Sequence, residues 1–432
     1  MSLLKVQGGV PLVGRVSTPG SKNAALAILS AVILAKGKTR LLNVPRVSDI
    51  DIKLNLIRKF NVHVEWVGDV LEIDATDLQY AEVDEALVRP IRTSFYLLGS
   101  LIARLNVAEL PAPGGCRIGA RPVDFHLKGL ALMNADVNLE AGVYRAETSG
   151  LTGAEIYLDF PSAGATQHLM ATATLANGIT RIENAAIEPE IIALADFLQK
   201  LGARIEGAGT ASIIIQGVSE LKGCEFRVPE DRLQAGTYLL AAAITGGDVT
   251  ATHLLPEHQT ALINKLREAG AIAEEGNDWV RVRVEKRLNA IRCKTMPYPG
   301  FPTDIQQPMA AVLALANGTS VIEETIYESR TGHITELNRM GAHMRTEGRS
   351  TVIDGVESLQ GSSVEATDLR AGAALVLAGL AAKEETTIRN VHFIDRGYEA
   401  LEDRIQQLGG TIMRVPLSVH DSAGESAEGP SR

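Results

Sequence analysis

Apolar residues in this chain follow three rhythms that return in a fixed order. Helix-period runs with almost no polar face come first, as in Ala24–Ala35, Ala235–Ala243 and Ala371–Leu380. Short β-branched stretches follow, such as Ile179–Glu183 and Thr319–Glu323. Amphipathic runs come third; in Pro189–Leu201 the spacing predicts Ile192, Ala195, Leu198 and Leu201 on one face. Each round ends on an apolar residue followed by Asn or Gly: Phe60-Asn61, Met133-Asn134, Leu201-Gly202, Ala269-Gly270, Met340-Gly341 and Leu408-Gly409. Counting between the second members gives spacings of 73, 68, 68, 71 and 68, so the chain reads as six copies of one unit.

In the third copy the pattern predicts a buried helix over Thr166–Ala176, a stop at Asn177-Gly178, a strand over Ile179–Glu183 and the helix Pro189–Leu201. The fifth copy repeats the order with Ala310–Ala316, Asn317-Gly318, Thr319–Glu323 and Ile334–Met340. Each unit is therefore strand-helix-strand-helix-strand-strand, an α/β fold. First helices that are apolar all round belong inside, with sheets around them. Two arrangements fit: an open solenoid, or closure as three plus three into two similar domains with a cleft.

The first helices open on Ser21-Lys22-Asn23, Arg92-Thr93-Ser94, Ser162-Ala163-Gly164, Gln234-Ala235-Gly236, Asp304-Ile305-Gln306 and Leu369-Arg370-Ala371. Ordinary capping explains Ser162 and Asp304. It does not explain Lys22, Arg92 and Arg370, because a cation at a helix amino terminus opposes the dipole unless an anion is shared. Helix starts facing one cleft would line an anion site.

Composition narrows the setting. With 432 residues, 45% of them hydrophobic, large buried cores are available. The net charge of -10 is spread among interspersed acids and bases, which excludes an electrostatic nucleic-acid footprint. The Ala24–Ala35 run falls short of the roughly 20 residues of a membrane span, and Met1–Lys5 lacks a signal-peptide pattern, so a cytoplasmic protein with no membrane partner is expected. Cys116, Cys224 and Cys293 lie far apart, and the histidine pairs His253/His258 and His333/His343 lack supporting carboxylates, so neither disulfides nor a metal site is expected. The repeat stops after Val415, and 417–432, rich in Ser, Gly and Glu, is expected to be a disordered tail.

Candidate chemistry concentrates in Pro111–Pro122, where Gly114, Gly115 and Gly119 and the prolines 111, 113 and 122 surround Cys116, Arg117 and Arg121. It is either a hinged lid whose thiolate is favoured by cationic neighbours or a glycine-rich turn with an incidental cysteine. Lys22, Arg121 and Arg396, with Arg370 and Arg92, jointly suit a doubly anionic small molecule. Asp304, behind Pro299-Gly300-Phe301-Pro302-Thr303, is either a general base or a helix cap. Glu188, Glu190 and Asp231 read as capping or positioning groups. Gly37-Lys38-Thr39 is not a phosphate loop, since Val32 stands where glycine is required.

The runs Gly20–Leu26, Pro113–Pro122, Glu188–Ile191, Phe301–Asp304, Asp368–Ala371 and Asp395–Glu399 together resemble the enolpyruvyl transferases that act on UDP-N-acetylglucosamine, and the likeness extends from residue 1 to about 416. The resemblance implies an inside-out α/β barrel fold with the active site in the interdomain cleft. It also implies one domain over 22–229 and a second, discontinuous one from 1–21 and 230–416. The implied reaction moves the enolpyruvyl group of phosphoenolpyruvate to the sugar 3-hydroxyl with loss of phosphate, the first committed step of peptidoglycan synthesis. No cofactor and no metal enter it, and a monomer is expected.

By the same resemblance, Cys116 protonates carbon 3 of the enol and is the target of the epoxide fosfomycin, while Asp304 takes the hydroxyl proton. Lys22, Asn23, Arg121, Arg370 and Arg396 hold phosphoenolpyruvate and the tetrahedral centre. UDP-N-acetylglucosamine lies on Arg92, Arg121, Pro122, Val123, Asp124, Phe125, Phe160, Ser162, Ala163, Gly164, Asp304 and Ile326. The chain departs from the family pattern at Ala163, where Val is usual, at Ser329, and at Phe393, where His is usual, which bears on substrate tuning. Two other readings compete: a related transferase with a different nucleotide or nucleoside acceptor, and a non-catalytic regulator that binds a sugar nucleotide.

Overall fold

A computed structural model describes residues 2–114 and 123–416. The chain divides into two compact units, one of Met1–Ser17, Leu233–Thr295 and Thr303–Arg432, the other of Thr18–Arg232 and Met296–Pro302. The short segment Met296–Pro302, which the sequence reading assigned with 230–416, clusters with Thr18–Arg232. Its turn is closed by the Met296 N–H on Phe301 O, and the Tyr298 ring lies under the Arg232 guanidinium.

The sheets repeat one plan. In the third copy Glu155–Tyr157 runs parallel to Ile179–Glu183, which pairs antiparallel with Ser212–Gln216, which pairs antiparallel with Arg204–Glu206. The fifth copy matches it with Arg292–Lys294, Thr319–Glu323, Ser350–Asp354 and His343–Glu347. Strands distant in sequence complete other copies. Glu225–Arg227 supplies the parallel edge beside Lys38–Leu42, Val13–Ser17 does so beside Asp248–Thr252, and Ser2–Gln7 sits between Glu385–Arg389 and Thr411–Pro416.

The first helices are buried on every side. All of Arg370–Leu380 is buried in the helix Leu369–Ala381, and all of Ile305–Leu313 in the helix Thr303–Leu313, and these two pack on each other. In the other unit, Leu97–Leu105 packs on Ala163–Ala173, and both touch Lys22–Ala31. Small residues allow this approach: a methyl at Gly99 would come within 2.4 Å of His168 Nε2. These helices start at Ala163 and Thr303, within a residue of the polar openings Ser162 and Asp304 and ahead of the apolar runs at 166 and 310. In the helix Thr303–Leu313 the buried polar residues Gln306 and Gln307 stand ahead of the apolar run that begins at Ala310. Ile192 is a second correction. It is 38% exposed, and the buried face of Pro189–Lys200 is Ile191, Leu194, Ala195 and Leu198.

The repeat punctuation has one physical cause. Asn61, Asn134, Gly202, Gly270, Gly341 and Gly409 have φ of 59°, 68°, 109°, 100°, 88° and 88°, the left-handed conformation that ends the second helix of each copy. A second recurrent turn follows the five-residue central strand: Asn43, Asn184, His253 and Asn390 have φ of 55–58°. The fifth copy has Glu324 at that place.

Inside the Thr18–Arg232 unit, His126 and His168 meet Nδ1 to Nδ1 at 2.8 Å, both buried. His168 Nε2 accepts the Gly99 N–H at 2.9 Å, so its proton sits on Nδ1 and points at His126 Nδ1, which must be bare. Protonating either ring would set two N–H groups against each other. Burial lowers both pKa values, that of His168 to about 3, with Lys53 near His168 and Arg92 near His126 adding repulsion. Lys53, itself buried and donating to Thr93 O at 2.8 Å, is pushed well below its ordinary value by desolvation. Because the folded pKa is depressed, the unfolded chain binds the extra proton. The stabilisation is complete above about pH 6.5 and is lost as pH falls toward 3. Replacing His168 by Gln should flatten the fall of unfolding free energy between pH 6 and 4 by up to ~1.4 kcal/mol per pH unit. Urea unfolding at stepped pH checks this, and parallel slopes for parent and variant would contradict it.

Candidate active site

The helix Lys22–Ala31 starts behind Ser21, whose hydroxyl accepts the Ala24 N–H at 3.3 Å. The Lys22 N–H donates to Asp231 Oδ2 at 3.1 Å, and the Lys22 ammonium lies 2.7 Å from Asp49 Oδ2. Asp49 is almost wholly buried. These carboxylates answer the cation-at-the-wrong-end problem from inside the chain, so Lys22 does not by itself require a ligand anion. Asn23 follows, partly exposed, in the first turn. Nearby in sequence to Asp231, Arg232 grips Glu190 through both carboxylate oxygens at 3.0 and 3.2 Å. Burial, with Glu190 adding its charge, raises the neighbouring Glu188 carboxyl.

Three stretches of the same unit come together around Tyr96 and His126. Arg92 opens the short helical turn Arg92–Tyr96. Val123 precedes the helix Asp124–Leu132, with Asp124 exposed and Phe125 half-buried. Ser162 caps Ala163–Ala173 by accepting the Ala165 N–H at 3.3 Å. The Tyr96 ring stacks on His126 at 5.7 Å, and a methyl at Gly164 would meet the Tyr96 hydroxyl at 2.7 Å. Phe160 lies just before this cap, 43% exposed. Cys116, Arg117, Arg121 and Pro122 lie outside the described residues, as does 417–432.

In the other unit Asp304 occupies the first turn of Thr303–Leu313. Arg330 Nη2 donates to its Oδ1 at 2.8 Å and Arg370 Nη2 to its Oδ2 at 3.3 Å. Both guanidiniums are buried, while the Asp304 side chain keeps 24% of its surface exposed. Arg370 also donates to the Tyr398 hydroxyl at 3.1 Å, which contacts Thr237 Oγ1 at 2.9 Å. Asp368 caps the helix of Arg370 by accepting the N–H groups of Arg370 and Ala371. Arg396 ends the turn Val391–Arg396. The next residue, Gly397, lies so close to Leu369 that a methyl would come within 2.7 Å of its side chain, which sets this turn beside the start of the Arg370 helix. Ile326 is tied in through its N–H to Glu324 Oε1 at 2.8 Å.

Sequence reasoning named Asp304, Arg370, Arg396 and Ile326 here, and it missed the roles of Arg330, Thr303 and Glu324, as it missed Asp49 beside Lys22. Arg330 and Asp49 sit in polar stretches with no distinguishing local spacing. Glu324 was findable, since aligning the six copies puts it where four others carry Asn or His and the second carries Ala112. Among the described residues no three His, Cys, Asp or Glu side chains group as a metal would need, and no helix is long and apolar enough to cross a membrane.

Residues 6–405 match the family described as EPSP synthase (3-phosphoshikimate 1-carboxyvinyltransferase). This chain belongs to that family. Within the family it is 46% identical over 419 residues to a UDP-N-acetylglucosamine 1-carboxyvinyltransferase of Nostoc sp., covering 96% of this chain and 94% of the relative. It is 45% identical over 415 residues to the protein of the same name from Halothermothrix orenii, covering 96% and 100%. Among solved structures, the enolpyruvyl transferase NikO from Streptomyces tendae superposes with a TM-score of 0.86 at 26% identity, covering 96% and 99%. An EPSP synthase from Acinetobacter baumannii superposes at 0.73 and 20% identity, covering 96% and 100%, a likeness of fold. The two-unit α/β architecture is thus that of the family.

Lys22 and Asp49 form a buried pair, their side chains 13% and 1% exposed. Removing one member of a buried pair strands the other, a loss of about 3 kcal/mol. Asp49→Ala should therefore lower the urea midpoint strongly, and Asp49→Leu combined with Lys22→Met should be less destabilised than Asp49→Ala alone. A double variant no better than the single one would show that the pair is not the source of the loss.

Proposed function

We propose that this chain transfers the enolpyruvyl group of phosphoenolpyruvate to the 3-hydroxyl of UDP-N-acetylglucosamine and releases phosphate, committing the sugar nucleotide to peptidoglycan. The observation that carries the reading is the 46% identity to the Nostoc protein of that name, sustained over 96% of this chain. The likeness to the Acinetobacter EPSP synthase, at 20%, supports only the shared fold.

The chemistry divides among the residues as follows. Asp304, exposed enough to meet a hydroxyl and oriented through both oxygens by Arg330 and Arg370, takes the proton of the sugar 3-hydroxyl. The oxygen attacks carbon 2 of phosphoenolpyruvate while Cys116 delivers a proton to carbon 3, giving a tetrahedral adduct. Loss of a proton from carbon 3 and departure of phosphate from carbon 2 restore the double bond. Lys22, Arg121, Arg370 and Arg396 offset the charge of phosphoenolpyruvate, and Asn23 holds the tetrahedral centre. Arg92, Val123–Phe125 and Ser162–Gly164, gathered around Tyr96 and His126, suit the nucleotide. The enzyme acts in the cytoplasm on these small molecules.

A coupled phosphate-release assay tests the assignment. Release should require phosphoenolpyruvate together with UDP-N-acetylglucosamine, with neither shikimate 3-phosphate nor a free nucleoside serving as acceptor. Asp304→Ala and Cys116→Ser should each lower turnover by ~100-fold or more, and fosfomycin should add covalently to the parent protein but not to Cys116→Ser. Phosphate release with a nucleoside and none with UDP-N-acetylglucosamine would overturn the reading.

A further inference from the structure

We infer that Glu324 and Thr303 are positioning residues for Asp304, setting the Arg330 guanidinium against its carboxylate through a fixed hydrogen-bond chain. The inference rests on the reading of Asp304 as the base for the acceptor hydroxyl. Glu324 is buried and accepts on both oxygens. Oε1 takes the Thr295 hydroxyl at 2.8 Å and the N–H groups of Ile326 and Tyr327 at 2.8 and 3.0 Å, while Oε2 takes the Thr303 hydroxyl at 2.8 Å. Because the Thr303 hydrogen is committed to Glu324, its lone pairs face Arg330 Nη1, which donates to it at 2.6 Å. The same guanidinium donates through Nη2 to Asp304 Oδ1 at 2.8 Å. The direction of the Thr303 hydroxyl thus bears on where Arg330 rests, and Arg330, with Arg370 on the other oxygen, on how Asp304 is aimed.

The repeat supplies an independent argument. Closing this turn does not call for a buried carboxylate, since Asn43, Asn184, His253 and Asn390 do it in a left-handed conformation, the asparagines 43 and 184 donating to the carbonyls of Val228 and Leu158. In the fifth copy the acidic acceptor takes the Thr303 hydroxyl and leaves its lone pairs outward, and this is the copy that carries Asp304. The same carboxylate holds the backbone of Ile326, the residue assigned to the sugar, so acceptor contact and base share one anchor.

Glu324→Gln keeps the shape but offers an amide that can donate to Thr303 and turn its hydroxyl toward Arg330; Thr303→Val removes the hydroxyl without changing the outline. Steady-state phosphate release should show kcat lowered ~10-fold or more in each, with KM for both substrates within about twofold, since misplacing a positioned group costs turnover before binding. Thr303→Ser should restore kcat to within about threefold of the parent. Turnover at the parent level in Thr303→Val, or a loss confined to KM, or no recovery with Thr303→Ser, overturns the inference. If Glu324→Gln fails to melt cooperatively, Thr303→Val and Thr303→Ser decide alone. Asp304→Asn is run beside them: parent turnover there would remove the base assignment itself, whereas its loss with an unaffected Thr303→Val would remove only the positioning chain.

Discussion

A helix buried on every face can offer polar chemistry only at its ends. Six such helices organise this protein, and that constraint shapes the rest. Their sides, lined with Ala, Leu and Gly, are consumed by packing, as with Leu369–Ala381 against Thr303–Leu313. Their amino termini carry the positive end of the dipole, and side chains there cap the first N–H groups, as Ser21, Ser162 and Asp368 do. Lys22, Ser162, Asp304 and Arg370 stand at or within a residue of such starts, while Arg92 opens the short turn Arg92–Tyr96 that leads into Leu97–Leu105. The sheets, five of them four-stranded among the described residues, cover the sides and leave the ends as the place where side chains can do work.

Placing cations at those ends creates a charge problem that the chain answers with its own carboxylates. Lys22 is answered by Asp49 and Asp231, and Arg370 by Asp304 and the cap Asp368. Each cation is thereby fixed in position before any ligand arrives, so the ordering of long side chains is not charged to binding. Pairing also limits what charge alone can reveal. A lysine at a helix start points to an anion, and the structure shows that the anion can be internal. In the Asp304 group two guanidiniums share one carboxylate, and the acid is fixed at both oxygens while its own surface stays partly open.

The repeat was legible because its markers are backbone requirements. The left-handed close of the second helix admits few residues, so Asn61, Asn134, Gly202, Gly270, Gly341 and Gly409 announce themselves at regular spacing. Apolar period alone under-read the buried helices, since Gln306 and Gln307 stand ahead of the apolar run while being buried, whereas the polar openings at Ser162 and Asp304 mark the starts within a residue. Strand exchange was invisible to a unit-by-unit reading: nothing in Val13–Ser17 or Glu225–Arg227 says which distant strand each will join. At the site, residues with a local signature, such as Asp304 behind its proline-rich turn or Arg396 beside Gly397, could be named in advance. Asp49 and Arg330 matter through tertiary contact and carry no such mark.

Repetition also gives a way to separate support from chemistry. When a position closes a turn with Asn or His in four copies, the turn itself plainly asks for little more than a left-handed conformation and a side chain able to reach a neighbouring strand. Whatever a deviating copy carries there beyond this is not required by the fold. Glu324 brings a buried acid, whose desolvation is costly unless donors surround it, and the fifth copy has assembled those donors from Thr295, Thr303 and two backbone N–H groups. Such an arrangement persists only if it contributes something the asparagine solution does not. From it the chain runs through Thr303 and Arg330 to the partly open Asp304, and that direction is the physical argument for reading this copy as the specialised one.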